Sequence, residues 1–273
     1  MQRSQRGRRM TNRPQTLPAL AGAGQTPQSS RHELVRVLSK LGLCSRSQAQ
    51  IWVRDGRVSV DGRIVRDGAM LVVADHVRLA VDGIAVSRVR PVYVMINKPR
   101  GLVVSTADER GRDTVYSMLA DAGLPWLGAV GRLDKASEGL LLFSNDTVWA
   151  AGITNPATHV GKTYHVQIDC VASDALLAAL TTGVRAGDDD LTATSARLLR
   201  AGEKHSWLEI VLDEGRNRQI RRMLEVQGVH VLRLIRVAIG PLPLGTLGKG
   251  EWRHLTAKEV QALSVASETR PRR

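Results

Sequence analysis

The feature that most constrains the fold is a short alternation of polar and apolar residues over 57–65, centred on the dipeptide Asp61-Gly62. Asp-Gly is strongly favoured in the two-residue turn of a β-hairpin, because both turn positions require a left-handed backbone. The segment therefore predicts two short antiparallel strands joined by a tight turn. A strand over 77–81 and a second turn at Asp82-Gly83 extend the pattern.

Two short helices are predicted ahead of this hairpin. The first is indicated by apolar residues at helical spacing followed by a glycine, namely Leu34, Val35, Leu38, Leu41 and Gly42. The second begins at a capping box formed by Ser45 and Gln48 and runs to about Arg54. Helices and hairpins together form a small unit, which we place at residues 31–90.

The net charge of +13 is concentrated in the first third of the chain. Residues 1–30 hold five Arg and no acid, and residues 31–90 hold 11 basic and 6 acidic side chains, whereas residues 91–265 are nearly balanced, 20 against 19. A merely solvated basic surface is one interpretation, but binding to nucleic-acid phosphates explains the concentration better. Residues 1–30 lack apolar periodicity and are predicted to be a disordered basic tail, and 266–273 a basic C-terminal tail.

Composition excludes several classes of protein. No apolar run approaches the roughly 20 residues of a membrane helix, and the basic N-terminus lacks the apolar stretch of a signal peptide. Only Cys44 and Cys170 occur, far apart in sequence, which excludes a disulfide scaffold and a cysteine-based zinc cluster. We expect a soluble, cytoplasmic protein without a metal site. Three consecutive acids over 188–190 are interpreted as a solvated turn.

Residues 91–265 are predicted to form a larger α+β domain. The segments that indicate strands are 92–97, 102–105, 140–143, 163–169 and 206–212. The segments that indicate helices are 146–153, 173–180, 217–226 and 257–263.

The first segment that could carry chemistry contains Asp134, which is flanked by Arg132 and Lys135 and precedes a buried strand. These cations favour the carboxylate form. Charge spacing alone also fits a turn Asp in a surface salt bridge. Asp134 and Glu138 as a glycosidase pair are a weaker alternative, because the sequence cannot show that they straddle one bond.

Two further segments point to an anionic, base-containing partner. Residues 216–222 contain four Arg and open a helix with an apolar stripe. An intrahelical pair between Arg221 and Glu225 is the simplest structural explanation, but four crowded like charges favour an anionic partner. Tyr164 follows Lys162 at the start of a strand; it could stack on a base or be an ordinary half-buried strand residue.

These segments resemble two known families. Residues 43–62 resemble the small RNA-binding domain named after ribosomal protein S4. From about residue 31 to 262 the chain resembles the RsuA/RluB/RluE/RluF family of ribosomal RNA pseudouridine synthases. The motifs that carry this resemblance are Gly-Arg-Leu-Asp at 131–134, Lys-Thr-Tyr at 162–164, Glu-Gly-Arg-Asn-Arg-Gln-Ile-Arg-Arg-Met at 214–223, Leu-Arg-Leu-Ile-Arg at 232–236 and Asn-Lys-Pro at 97–99.

The resemblance implies isomerisation of a uridine within RNA, with no metal or cofactor, by an α+β synthase domain built on a mainly antiparallel mixed sheet with flanking helices. Asp134 matches the essential family Asp, acting either as a nucleophile or as a base. Arg221 matches the Arg that pairs with this Asp and keeps it ionised, and Tyr164 matches the aromatic that stacks on the target base. RNA contacts are expected from Arg132, Arg216, Asn217, Arg218 and Gln219, and from Arg46, Arg54 and Arg57 in the S4-like unit.

The expected partner is ribosomal RNA or a pre-ribosomal particle, bound by a monomer. The sequence of the synthase segments resembles that of synthases acting on the large ribosomal subunit more than that of the small-subunit synthase, so we expect 23S ribosomal RNA as the substrate. A small-subunit synthase is the first alternative. A non-catalytic ribosome-assembly factor is the second, but a binding module would not need Asp134, Tyr164 and Arg221 together.

Overall fold

The structure, a computed structural model of the 273-residue chain, describes residues 31–106 and 111–268. The described residues belong to one compact unit that begins at Arg31. The predicted disordered tail at 1–30 lies outside the described residues, as does the end of the predicted C-terminal tail from 269 onward. The predicted start of that tail is too early, because residues 266–268 belong to the final helix, Ala257–Glu268.

The N-terminal part contains two helices and six short strands. In chain order these are β1 (His32–Glu33), α1 (Leu34–Lys40), α2 (Arg46–Arg54), β2 (Val58–Val60), β3 (Arg63–Ile64), β4 (Leu71–Val72), β5 (Leu79–Val81) and β6 (Ile84–Ala85). Strands β3, β2, β5 and β6 form an antiparallel sheet in that order, and β1 pairs with β4.

Local sequence signals account for this arrangement. The side chain of Ser45 caps α2 by accepting a hydrogen bond of 3.1 Å from the backbone N–H of Gln48, which confirms Ser45 as the N-cap of the predicted capping box. Asp61 and Gly62 have φ values of 50° and 83°, so both turn residues of the β2–β3 hairpin are left-handed, as predicted. The apolar faces of the two helices pack on β2, β4 and β5 in one small aliphatic core that includes Cys44.

The larger C-terminal part contains the remaining eleven strands and four helices. In chain order these are β7 (Tyr93–Lys98), β8 (Gly128–Val130), β9 (Glu138–Ser144), α3 (Thr147–Thr154), β10 (Lys162–Ile168), α4 (Asp174–Thr182), β11 (Val184–Ala186), β12 (Asp189–Leu191), β13 (Ser195–Ala201), β14 (Ser206–Leu212), α5 (Gln219–Val226), β15 (Val231–Ile239), β16 (Leu242–Pro243), β17 (Trp252–His254) and α6 (Ala257–Glu268).

The main sheet of this part runs in the order β13-β14-β10-β15-β9-β7-β17, with β8 on β9 and β16 on β15. Every pairing in it is antiparallel except that of β15 with β9, which is parallel and joins Glu138 to Ile235 and Gly139 to Arg236. Gly139 has a φ of 100°, and a Cβ at this position would collide with the backbone of Arg236. Glycine therefore permits the close approach of the two halves of the sheet.

Helices cover both faces of this sheet. Apolar residues of α4 and α5 pack against β10 and β14 on one face, and those of α3 and α6 pack against β9 on the other. Strand β9 is buried on both faces, which explains its continuous apolar run Leu140, Leu141, Leu142 and Phe143. No helix among residues 31–106 and 111–268 is long and apolar enough to span a membrane.

Most predicted elements are confirmed, with shifts at their ends, but two predictions differ from the structure. The apolar segment 102–105 is not a strand, since it forms only an isolated bridge between Val103 and Thr114. The helix predicted from 217 begins at Gln219, because Arg218 adopts a left-handed conformation, with φ at 49°. The division between residues 90 and 91 remains a prediction.

Candidate active site

The loop that carries Asp134 lies between β8 and β9, and its backbone is hydrogen-bonded to the side chain of Lys98. The ammonium of Lys98, which is fully buried, donates to the carbonyl oxygens of Pro99 (3.1 Å), Asp134 (3.2 Å) and Ser137 (2.8 Å). The backbone N–H of Ser137 also donates to the carbonyl of Asp134 at 3.0 Å. Burial lowers the pKa of Lys98 to about 8, and the nearby carboxylates oppose that shift. This network fixes the backbone at the half-buried Asp134.

Tyr164 is presented by β10, the strand at the middle of the antiparallel half of the sheet. It lies between Ile210 on β14 and Arg236 on β15. Its ring packs against two groups of apolar residues, one from α4, α5 and β14 and the other from β7 and β9. Tyr164 is therefore half-buried. The strand therefore holds one face of the ring in a fixed position toward the Asp134 loop.

Arg221 lies in the first half of α5 and is also half-buried. Its guanidinium donates to the carbonyl oxygens of Val231 (3.2 Å) and, at the longer distance of 3.5 Å, Ala136 in the Asp134 loop. Burial and the charge of Arg218 lower the pKa of Arg221, whereas the charge of Asp134 raises it. Arg221 and Asp134 are thus close enough for their charges to interact, and the Arg221 side chain contacts the backbone of the Asp134 loop.

One cavity of about 630 Å³ brings most of the predicted site residues together. Its wall includes Asp134 and Tyr164, together with the predicted RNA-contacting residues Arg132, Arg216, Asn217, Arg218 and Gln219. Arg221 lies behind this wall, where it supports the Asp134 loop. A cavity of this size can hold a nucleoside.

The arginine-rich loop before α5 is tied to its neighbours by charged side chains. Arg216 donates to Glu214 (3.0 Å) and to Asp189 (2.9 Å) on β12. The side chain of Gln219, predicted to contact RNA, is buried and donates to the carbonyl of Thr192 (3.1 Å) and to Glu214 (3.0 Å). Gln219 thus positions the loop, while Arg218 and Asn217 remain exposed. Asp189 belongs to a β-hairpin and not to a free turn.

The predicted RNA contacts of the N-terminal part lie outside this cavity. Arg54 and Arg57 are exposed at α2 and just after it, and each pairs with an acid: Arg54 with Asp55 at 3.1 Å and Arg57 with Asp82 at 2.5 Å. The hydrogen bond that Arg57 donates to Asp82 raises the pKa of Arg57. Arg46 is the first residue of α2 and is exposed as well. All three are available to phosphates on the outer surface.

Two cations in the cavity wall, Lys162 and Arg236, are absent from the predicted site residues. Arg236 is buried and donates to the carbonyls of Leu140 (2.7 Å) and Arg132 (3.4 Å). Three buried polar atoms around the cavity have no hydrogen-bond partner among the described residues, namely Ser137 Oγ, Arg221 Nε and Arg236 Nη2. Both cations lie within motifs that the sequence singles out, but only the fold places them beside Asp134 and Tyr164. Within residues 31–106 and 111–268, no three His, Cys, Asp or Glu side chains are grouped as they would be to hold a metal ion.

Comparison with known proteins agrees with this architecture. Residues 92–226 match the model of the RNA pseudouridylate synthase family, and residues 34–77 match the S4 domain. A relative from Bacillus subtilis (strain 168), named ribosomal large subunit pseudouridine synthase B, is 33% identical over 86% of this chain and 96% of its own length. The Escherichia coli (strain K12) protein of the same name is 35% identical over 88% and 84%.

A solved structure shares the fold. A crystal structure of a pseudouridylate synthase superposes with a TM-score of 0.58 and 29% identity, covering 85% of this chain and 99% of that one. Asp134 and Tyr164, which line the described cavity, fall within the matched synthase segment. The chain is an RNA pseudouridine synthase: it belongs to the RNA pseudouridylate synthase family and carries an S4 domain ahead of its synthase domain.

Proposed function

We propose that this protein isomerises one specific uridine to pseudouridine in the RNA of the large ribosomal subunit. The observation that carries the proposal is that Asp134 and Tyr164 face one nucleoside-sized cavity, with Arg221 bound to the back of the Asp134 loop. Its relatives at 33% and 35% identity are named as large-subunit synthases, which favours this RNA as the substrate.

The reaction exchanges one glycosidic bond for another. The bond between C1′ of the ribose and N1 of uracil breaks, the base rotates, and C5 bonds to C1′. The proton on C5 is then lost and N1 gains one, so the atoms of substrate and product are the same. Asp134 serves either as a nucleophile toward the sugar or base, or as a base, and each role needs a fixed carboxylate. Tyr164 stacks on the uracil and keeps it in the cavity as it turns.

The target nucleotide has to leave its helix or stack to enter the cavity, which costs a few kcal/mol. Arg132 is located at the cavity wall next to Asp134, where it would hold the extruded nucleotide. Arg216, Asn217 and Arg218 would contact the flanking phosphates, with Arg216 exchanging its carboxylate partners for RNA. Gln219 would serve by positioning this loop.

The S4 domain would capture the RNA. Arg46, Arg54 and Arg57 are exposed on one small domain, where phosphates can reach them without rearrangement of the core. We place the protein in the cytoplasm, where ribosomal RNA is assembled in bacteria, and expect it to act as a monomer, because one chain supplies the whole cavity wall.

The decisive experiment maps pseudouridines in ribosomal RNA from a strain that lacks the gene. We expect one large-subunit position to lose its pseudouridine and to regain it when the gene is returned on a plasmid. An unchanged map would contradict the proposal. A change confined to small-subunit RNA would correct the substrate and leave the reaction in place.

A further inference from the structure

Lys162 lies in the wall of the cavity close to the expected position of the base. It lies two residues before Tyr164 on β10, and because side chains alternate along a strand, the two point to the same face. Lys162 is half-buried and lines the same cavity as Asp134 and Tyr164. A base stacked on Tyr164 would therefore lie within reach of its ammonium group.

The contacts of the half-buried Lys162 differ from those of Lys98, the fully buried lysine near Asp134. Lys98 uses its ammonium group on three backbone carbonyls. In the part of the chain that the structure describes, the ammonium of Lys162 has no hydrogen bond and no ion pair, and the charge of Asp213 acts on it only from a greater distance. The half-buried ammonium of Lys162 therefore keeps its N–H donors for a ligand in the cavity.

Arg236 adds a second positive charge to the same wall. Its Nε and Nη1 groups are fixed by the carbonyls of Leu140 and Arg132, and its Nη2 is buried without a partner among the described residues. Arg236 is close enough to lower the pKa of Lys162, so the two cations repel each other. Two confined cations with unused N–H groups form a site for negative charge.

The proposed reaction produces negative charge at this place. When the bond between C1′ and N1 breaks, its electron pair stays with the uracil and spreads over N1, O2 and O4. If a nucleophile instead adds to the uracil ring first, the pair collects on O4. In either case the uracil oxygens carry charge in the transition state that the bound uridine lacks. Groups that meet charge only in the transition state accelerate the chemical step.

We propose that Lys162 is a catalytic residue whose ammonium, supported by Arg236, stabilises the negative charge on the uracil oxygens as the C1′–N1 bond breaks. Arg236 acts as a positioning residue behind it. The inference rests on the proposed function, since it concerns the base that this reaction detaches. No proton needs to move to or from Lys162: the electron pair passes from the broken bond to the ring and then into the new bond between C5 and C1′.

The test compares Lys162→Met with the wild type on two RNAs under single-turnover conditions. One is a large-subunit RNA transcript, and the other is the same transcript made with 5-fluorouridine, whose detached base is the more stable anion. Because C5 then carries fluorine and cannot lose a proton, the rate compared on both RNAs is that at which the original nucleoside is consumed by cleavage of its C1′–N1 bond. We expect the variant to lose about 10²–10³-fold in rate on the uridine RNA. The loss on the fluorinated RNA should be clearly smaller, because an anion stabilised by fluorine depends less on a nearby cation.

Lys258→Met is the matched control, because Lys258 is an exposed lysine on α6 outside the cavity. It should match the wild type on both RNAs. Lys162→Gln, which keeps a hydrogen-bond donor without the charge, should show the same pattern as Lys162→Met and guards against a folding defect. Equal losses on the two RNAs, or a loss confined to RNA affinity, would overturn the role in charge stabilisation.

A pH profile separates this role from that of a general base. The charged groups that face Lys162 from other elements are Arg132, Asp134, Asp213, Glu214, Arg216, Arg218 and Arg236. Burial and Arg236 lower the pKa of Lys162 to about 8, so its ammonium is present below that pH and is lost above it. At limiting RNA, which reports the free enzyme, the wild-type rate should fall above pH 8, and the fall should be absent in Lys162→Arg.

A wild-type rate that rises through pH 8 would show that the neutral amine acts as a base and would overturn the proposal. The proposed function and the role of Lys162 fail separately. A wild type that forms no pseudouridine on any ribosomal RNA contradicts the proposed function. An active wild type with an equally active Lys162→Met contradicts only the role of Lys162.

Discussion

Positive charge is used differently in the two parts of the molecule. In the S4 domain the arginines expected to contact RNA are exposed, and two of them already pair with acids, Arg54 with Asp55 and Arg57 with Asp82. Exposed pairs contribute little to stability and exchange readily with other anions. In the synthase domain, Lys98, Lys162 and Arg236 lie in or behind the cavity wall, where Lys98 and Arg236 are buried and Lys162 is half-buried. Exposed cations therefore suit the capture of a long polyanion, and enclosed cations suit action on one bound group.

The largest expected effect is that of Asp134→Asn, which keeps the shape of the side chain and removes its charge. We expect the single-turnover rate to fall by on the order of 10⁴-fold. RNA affinity should stay within about twofold of the wild type, because phosphate contacts dominate binding. Quantification of pseudouridine and a filter-binding titration measure the two quantities. If Asp134→Asn lost as much RNA affinity as reaction rate, RNA binding and catalysis would not be carried by separate groups.

Lys98→Met should have the next largest effect, because it removes the donor that three loop carbonyls share. Loss of these hydrogen bonds should lower the free energy of unfolding by about 2 kcal/mol. A shift of the Asp134 loop by about 1 Å should slow the reaction by about 100-fold. Denaturant unfolding and single-turnover assays measure the two effects. Lys135→Met, an exposed change in the same loop, is the stability control; an identical loss there would show that Lys98 has no special part.

The exposed cations of the S4 domain are tested by replacing Arg46, Arg54 and Arg57 together with Gln. RNA affinity should fall about tenfold or more at moderate salt. The slope of log affinity against log salt should decrease by about 1 for each phosphate that the variant no longer binds. The rate at saturating enzyme should not change, since none of the three lines the cavity.

The matched control removes the same charge from the surface of the synthase domain. Arg185, Arg197 and Arg200 are exposed on strands β11 and β13 and can be changed to Gln together. If this triple variant loses as much affinity as the S4 variant, net charge and not the S4 surface governs capture.

The smallest effect concerns α6, which takes part in neither capture nor chemistry. Glu259 accepts hydrogen bonds from Arg253 (2.6 Å) and from the backbone of Thr256 (2.8 Å), and the bond from Arg253 is the main reason that its pKa falls from 4.5 to about 2. A lowered carboxylate pKa stabilises the folded state fully above pH 4.5, and this stabilisation is lost as the pH falls toward 2.

Glu259→Gln should therefore lower the free energy of unfolding by about 1 kcal/mol at pH 7. The difference from the wild type should disappear between pH 4.5 and about 2, and the reaction rate should not change. Thermal unfolding across this pH range measures the effect. A difference in stability between Glu259→Gln and the wild type that persists at pH 2 would contradict this role of the Glu259 carboxylate.

Local signals in the sequence predict part of this molecule well. The N-cap at Ser45 and the turn at Asp61-Gly62 act over a few residues, so their structures follow from the neighbouring sequence alone. The apolar segment 102–105 resembles a strand but is not one, because its only pairing, of Val103 with Thr114, depends on residues further along the chain. Pairing partners cannot be read from one segment.

The site divides in the same way. Asp134 and Tyr164 are identifiable from motifs that resemble a known family, although their roles remain predictions. The parts played by Lys98 and Arg236 depend on contacts across long stretches of chain: Lys98 meets Ser137, and Arg236 meets Leu140. A lysine or arginine in an apolar strand gives no sign of which carbonyl it will meet.

The parallel pairing of β9 with β15 determines how far apart the reacting groups lie. Asp134 lies in the loop that leads into β9, on one side of this pairing. Tyr164 on β10 and Arg221 on α5 lie on the other side, with β15. The ladder between β15 and β9 contains two residue pairs, and one of them contains Gly139. The width of the catalytic cleft is thus set by the absence of a side chain at Gly139, and a single methyl group there would part the acid from the aromatic ring without altering either.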